Sequence, residues 1–134
     1  MAIELDAEIR RLLYERIASY EQLEALLLLR ADAGQSFSVP DVAEKLRIDE
    51  SSVAAALEEL TALRLLEKQA GSPLSYRFAP VEPDTMVAVD RLAALYAEQR
   101  LEIIRQMSAN AIERLRSSAA RTFADAFLLR GRKP

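Results

Sequence analysis

The chain has no cysteine and no histidine among its 134 residues. The first absence excludes disulfides, a thiol nucleophile and a thiolate zinc site, and it fits a reducing cytoplasm. The second removes the commonest metal ligand and the one side chain that ordinarily titrates near neutral pH. Hydrolytic triads built on histidine are therefore ruled out. The carboxylates, lysines, tyrosines and serines that remain form no catalytic grouping, so the sequence predicts no enzyme, no metal site and no cofactor. Tryptophan is also absent, aromatics reach only 6%, and there are 3 glycines and 5 prolines. So little turn chemistry argues against a β-sandwich. Apolar runs such as Ala25–Leu29 fall far short of the ~20 residues a membrane helix needs. The start of the chain is acidic, without the apolar core of a secretory signal. The expectation is a cytoplasmic protein that does not engage membranes.

What is present favours helices. The sequence is 51% hydrophobic and 29% charged, and alanine, leucine, glutamate and arginine dominate it. Charge is unevenly spread. Residues 1–83 carry 9 basic and 15 acidic side chains, a net −6, whereas residues 84–134 carry 9 and 6, a net +3. The last stretch, 110–134, has 6 basic and 2 acidic residues, a net +4.

Periodicity divides the chain further. Residues 6–33 read as helical, with Leu12, Leu13 and Ile17 on one face. Ser19 followed by Gln22 is a capping-box pattern that starts a second helix or a kink. Leu23, Leu26, Leu27, Leu28 and Leu29 make its apolar face wide enough for burial on more than one side. Gly34 suits a left-handed helix end. Residues 35–38 allow a loop or a stub of strand. Ser38 then caps a short helix whose apolar face is Val42, Ala43 and Leu46, with Pro40 in its first turn. After a tight connection at Arg47–Asp49, Asp49 or Ser51 caps a helix to about Leu63, with Val53, Ala56, Leu57 and Leu60 inward. Residues 65–69 and 75–79 read as a β-hairpin joined by a segment carrying Gly71 and Pro73. Pro80 and Pro83 bracket a linker. A long helix is expected from a cap at Asp84 to about Met107, a break at Ser108–Asn110, and a last helix from Ala111 to about Leu129. Three units follow: a domain at 1–80, a helical extension at 84–129 and a basic tail at 130–134.

The order helix, short helix, tight turn, helix, hairpin is that of a helix-turn-helix closed by a wing. The run from Ser38 to Leu66, through Asp41, Leu46, Asp49, Val53, Leu57 and Leu60, resembles bacterial winged-helix transcription regulators of the MarR-like type. The resemblance covers about residues 20–80 and leaves the helical C-terminal extension outside it. It implies a mainly α fold with a small hairpin wing and helical extensions at both ends. Arg47 and Arg64 stand where such domains commonly have glycine, so both backbones are expected in the left-handed region.

The resemblance also implies double-stranded DNA as partner, with helix 50–63 in the major groove. Ser51, Ser52 and Ala55 would then face base edges. Ser38 would hold a phosphate, and Lys45, Arg47, Lys68 and Arg77 would meet the backbone. The amphipathic early helix and the long helix flanking the central domain resemble the MarR-like dimer plan. Leu12, Leu13, Val89, Leu92, Tyr96 and Ile103 are the candidate dimer contacts. A regulator of this kind would act by occupying a promoter at an inverted repeat.

The residues also support a different reading. Helix 50–63 has no arginine, lysine, asparagine or glutamine, the side chains that pair best with base edges, and it carries Glu50, Glu58 and Glu59. Ser38, Asp49 and Ser51 also serve as plain helix caps, and Lys68 and Arg77 as charges balancing a solvated hairpin. On this reading the fold is a protein-interaction module. Its partner would bind helix 50–63, or residues 111–129, where Arg114, Arg116 and Arg121 border an apolar patch at Phe123–Leu129.

Overall fold

A computed structural model describes residues 7–131 of the protein. Helix α1 (Ala7–Arg11) runs directly into a π-helical turn, Leu12–Arg16. The chain then breaks, and the predicted Ser19–Gln22 capping box opens α2 (Tyr20–Ala31). The Ser19 hydroxyl accepts from Gln22 N at 3.1 Å, and the Gln22 amide oxygen accepts from Ser19 N at 3.3 Å. Helix α2 is the centre of the molecule. Leu23, Leu26 and Leu29 have no exposed surface, and Leu27 and Leu28 pack against the same core from its margin. The helix ends at Ala31 with Asp32 as its cap. Gly34 is not the left-handed terminator expected, since no described glycine has a positive φ. The turn is closed instead by Gln35 N donating to Asp32 O at 2.9 Å.

Strand β1 (Ser36–Ser38), helix α3 (Val39–Leu46) and helix α4 (Glu50–Ala62) follow. Strands β2 (Leu66–Gln69) and β3 (Ser75–Phe78) form the predicted hairpin. The three strands make one antiparallel sheet in the order β1-β3-β2. The 35–38 stub is thus a true edge strand, with Phe37 opposite Tyr76. Tyr76 in turn lies opposite Lys68, and Arg77 opposite Glu67. Side chains opposite one another share a face. Phe37 and Tyr76 are buried, so their face is turned to the core, and Arg77 with Glu67 lies on the outer face.

Helix α5 (Pro83–Glu98) is capped two residues earlier than expected. Its cap is Glu82, with Pro83 in the first turn, rather than Asp84. Helix α6 (Arg100–Gly131) follows after the single residue Gln99. The expected break at Ser108–Asn110 is therefore absent, and α6 passes through it unbroken. Asn110 is buried in line with Ile103 and Met107, and its amide oxygen accepts from Gln106 Nε2 at 2.9 Å, one turn earlier. A side chain seated in this way no longer competes with the helix backbone.

One hydrophobic core runs from Ile9 to Met107, so α5 and the first turns of α6 belong to the same packed body as α2 and α4. The remainder of α6 leaves it. Arg114 and Ser117 are half-buried, and every residue from 118 to 126 is exposed. Among the described side chains, Arg114 is the last firm anchor. Its guanidinium donates to Leu13 O at 3.2 Å and to Tyr14 O, and it lies 4.8 Å from the centre of the Tyr14 ring. It caps carbonyls at the end of the π-helical turn. Of the basic tail expected at 130–134, residues 132–134 lie outside the described residues.

Candidate nucleic-acid interface

Helices α3 and α4 meet across a turn held by backbone geometry. Arg47 terminates α3 with φ 57° and ψ 44°, its N–H bonded to Ala43 O. Arg64, just past the end of α4, has φ 65°. Both left-handed positions are those anticipated from the sequence. At the start of α4, Asp49 acts as the cap. Its carboxylate accepts from the Ser51 hydroxyl at 2.5 Å and from Ser52 N at 2.9 Å. These bonds, the Ser51 hydroxyl foremost, hold the Asp49 pKa down to about 2.

Past the exposed Glu50 of its first turn, the face that α4 turns outward carries small side chains at its N-terminal end. Ser51 and Ala55 are exposed there and Ser52 is half-buried, whereas Val53, Ala56, Leu57 and Leu60 point into the core. The carboxylates further along are tied to the protein itself. Glu58 accepts from Lys68 Nζ at 2.5 Å and from the Tyr76 hydroxyl at 3.1 Å. Glu59 accepts from the Gln22 side-chain amide on α2. On the outer face of the wing, Arg77 donates to Glu67 at 2.6 Å.

The predicted DNA contacts therefore separate into groups. Lys45 and Arg47 are exposed beside the start of α4 and make no ion pair among the described residues. Ser51, Ser52 and Ala55 lie on the outward face next to them. Lys68 and Arg77 are on the wing, each already paired with a carboxylate. Ser38 stands apart. It is 6% exposed, and its hydroxyl accepts from Asp41 N at 3.3 Å in a capping box, so it is committed to α3. The Glu58–Lys68–Tyr76 contact had no signal in the sequence, because it joins a helix to two strands.

The candidate dimer contacts sit elsewhere. Leu12, Leu13, Val89, Leu92 and Ile103 are all buried inside the single chain. They have no surface to offer a second copy. Tyr96 is half-buried, and its hydroxyl donates to Glu24 Oε1 at 2.6 Å. Burial and that carboxylate push its pKa far above the usual tyrosine range. Among the described side chains of α6, the large exposed apolar ones are Leu101, Ile112, Leu115 and Phe123, with 52% to 73% of their surface open. A cleft of about 260 Å³ opens between the π-helical turn and the start of α5, lined in part by Arg11, Glu15, Arg16, Glu82 and Thr85. Among the described residues no acidic cluster could hold a metal ion, and no helix is long and apolar enough to cross a membrane.

No family model and no curated protein matches the sequence. Solved structures do match the fold. The chain is similar to the antimony-specific transcriptional repressor AntR, at 22% identity and a TM-score of 0.53, over 66% of this chain and 78% of that one. It is similar to reduced HlyU from Vibrio cholerae, at 18% identity and a TM-score of 0.52, over 66% of this chain and 88% of that one. The chain has the winged-helix fold. A third winged helix covers more of the chain: MepR, a transcription regulator of the Staphylococcus aureus multidrug efflux pump MepA. It matches at 14% identity and a TM-score of 0.51, over 89% of this chain and 90% of that one. A point mutant of MepR has been solved bound to an oligodeoxyribonucleotide. In winged-helix terms, α3 and α4 are the helix-turn-helix, α4 holds the place that a recognition helix would take, and β2–β3 is the wing.

Proposed function

We propose that the protein is a cytoplasmic transcription regulator that binds double-stranded DNA as a homodimer, with α4 in the major groove. The observation that carries this reading is the outward face of α4. Ser51 and Ala55 are small enough to let the helix approach base edges closely. Of the three carboxylates that would repel phosphate, Glu58 and Glu59 are engaged by Lys68, Tyr76 and Gln22, and Glu50 stays exposed in the first turn of α4. Lys45 and Arg47, unpaired at the N-terminal end of α4, would contact phosphates. The mode of regulation would be steric, with the dimer covering a promoter.

The dimer contact in this reading is the free part of α6. Ile112, Leu115, Ala119, Phe123 and Ala126 recur at three- and four-residue spacing, which lines them along one side of a helix. Ile112 is 52%, Leu115 70% and Phe123 73% exposed, so a single chain leaves that stripe uncovered. A second copy brings a matching stripe under two-fold symmetry.

One observation favours a protein-interaction module instead. The recognition helix offers none of the paired hydrogen-bonding side chains that read guanine or adenine, and both wing cations are already neutralised. Selection from a pool of random duplexes at two salt concentrations separates the readings. A palindromic sequence that stays bound at the higher salt is the expected result. Failure to bind duplex DNA even at low salt would leave the docking module.

A further inference from the structure

In the DNA-binding reading, cations on the wing would add affinity by meeting phosphate. Here each wing cation already has an anion. Lys68 donates to Glu58 at 2.5 Å and Arg77 to Glu67 at 2.6 Å. Neither pair is needed to hold the fold. All four side chains are between 39% and 52% exposed, and pairs that open to water contribute little to folding.

The Lys68–Glu58 pair is nevertheless held in place. Tyr76 is 1% exposed, and its hydroxyl donates to the same Glu58 oxygen that Lys68 uses. The ring is fixed by the core, so the carboxylate is fixed by the ring. Lys68 lies opposite Tyr76 in the β2–β3 register, on the face that reaches α4. The ammonium thus sits between the recognition helix and the wing, where a groove-bound duplex would bring its backbone. Hydrogen bonding between the two groups shifts both in the direction of a committed ion pair, Glu58 downward and Lys68 upward.

We propose that Glu58 is an internal stand-in for DNA phosphate: it occupies Lys68 in the free protein, and a duplex must displace it before the wing can bind. This rests on the DNA-binding reading and specifies how that surface sets its own affinity. It predicts weak sequence-independent binding, because the cation released from the phosphate that Lys68 meets is offset by one taken up at the freed Glu58 carboxylate. Specific sites would be distinguished by whether α4 docks closely enough to complete the exchange.

The test is a salt series of fluorescence anisotropy on a fluorescein-labelled random-sequence duplex. It compares the natural protein, Glu58→Gln, Lys68→Met and the double variant. Glu58→Gln removes the charge while leaving an amide oxygen to accept from Tyr76, and a thermal melt verifies its fold. The expected result is binding about tenfold tighter at ~50 mM salt, with a salt slope steeper by about 0.9, the signature of one additional phosphate contact. In the Lys68→Met background that gain should vanish. An equal gain with and without Lys68 would mean that Glu58 only repels DNA directly, and the stand-in role would be overturned. If the natural protein binds and Glu58→Gln binds no tighter, this inference alone fails. If none of the four proteins binds the duplex, the DNA-binding reading fails with it.

Discussion

Arg47 and Arg64 hold left-handed backbone at φ 57° and 65°, which costs a residue with a Cβ ~1 kcal/mol relative to glycine. Arg64→Gly should therefore raise stability by less than about 1 kcal/mol, because glycine's extra chain entropy offsets part of the relief, seen as a higher urea midpoint at unchanged slope. Arg47→Gly should stabilise similarly but weaken duplex binding, since it removes an unpaired cation beside α4. Asp49 gives a pH signature. Its pKa falls from 3.8 to about 2 on folding, chiefly through the Ser51 hydroxyl and Ser52 N. A carboxylate depressed in this way stabilises the fold above its ordinary pKa, and the effect is lost as pH falls through the folded value. Between about pH 4 and pH 2 the natural protein should lose stability faster than Asp49→Asn, as read by urea melts across that range. These residues were legible in the sequence because their work is local: a cap bonds within three residues, and a left-handed turn needs no distant partner. Glu58 was legible only as a charge on a helix. Its partners lie ten and eighteen residues away, on two strands whose register no local pattern specifies.

At the scale of elements, the helix-turn-helix and hairpin followed from periodicity and punctuation, and the C-terminal helices did not. Ser108 and Asn110 carry poor helix propensity, which argued for a break there. The helix passes through all the same, with Ile103 and Met107 seated in the core before it and the Asn110 amide oxygen taken up by Gln106 one turn earlier. The real break, at Gln99, has neither glycine nor proline to announce it. It is secured by the neighbouring residue. The Arg100 guanidinium lies 5.9 Å from the Tyr20 ring centre and 5.5 Å from that of Tyr96, and it donates to the Tyr20 hydroxyl at 2.6 Å and to Glu24 at 3.3 Å. The other end of the seated part of α6 depends on Arg114. Arg114→Ala removes both carbonyl contacts and the stacking on Tyr14, and should cost about 1 kcal/mol. Hydrogen exchange should rise through Leu12–Ile17 and leave α4 unchanged. Equal exchange throughout would mean that the π-helical turn holds itself.

For the whole molecule, burial decides what is available for assembly. A sequence stripe does not say whether its partner is the same chain or another. Leu12, Leu13, Val89, Leu92 and Ile103 form the kind of stripe that a dimer would use, and the chain covers them itself. The stripe from Ile112 to Ala126 has the same periodicity and stays open. Replacing Ile112 and Leu115 with glutamate should give monomers by light scattering that stay folded by circular dichroism, since both side chains are largely exposed in the single chain, with a melt that no longer depends on protein concentration. Leu92→Glu should unfold the protein instead, because Leu92 has no exposed surface. A persistent dimer after the first change would move the contact off α6. The monomer so produced has a shape that scattering can recognise. Helix α6 has 32 residues, about 48 Å at 1.5 Å each, and residues 118–126 on it are all exposed. A compact chain of this length would have a radius of gyration near ~14 Å. Small-angle scattering should return a larger value, with a long tail in the pair-distance distribution, as from a ball carrying a rod.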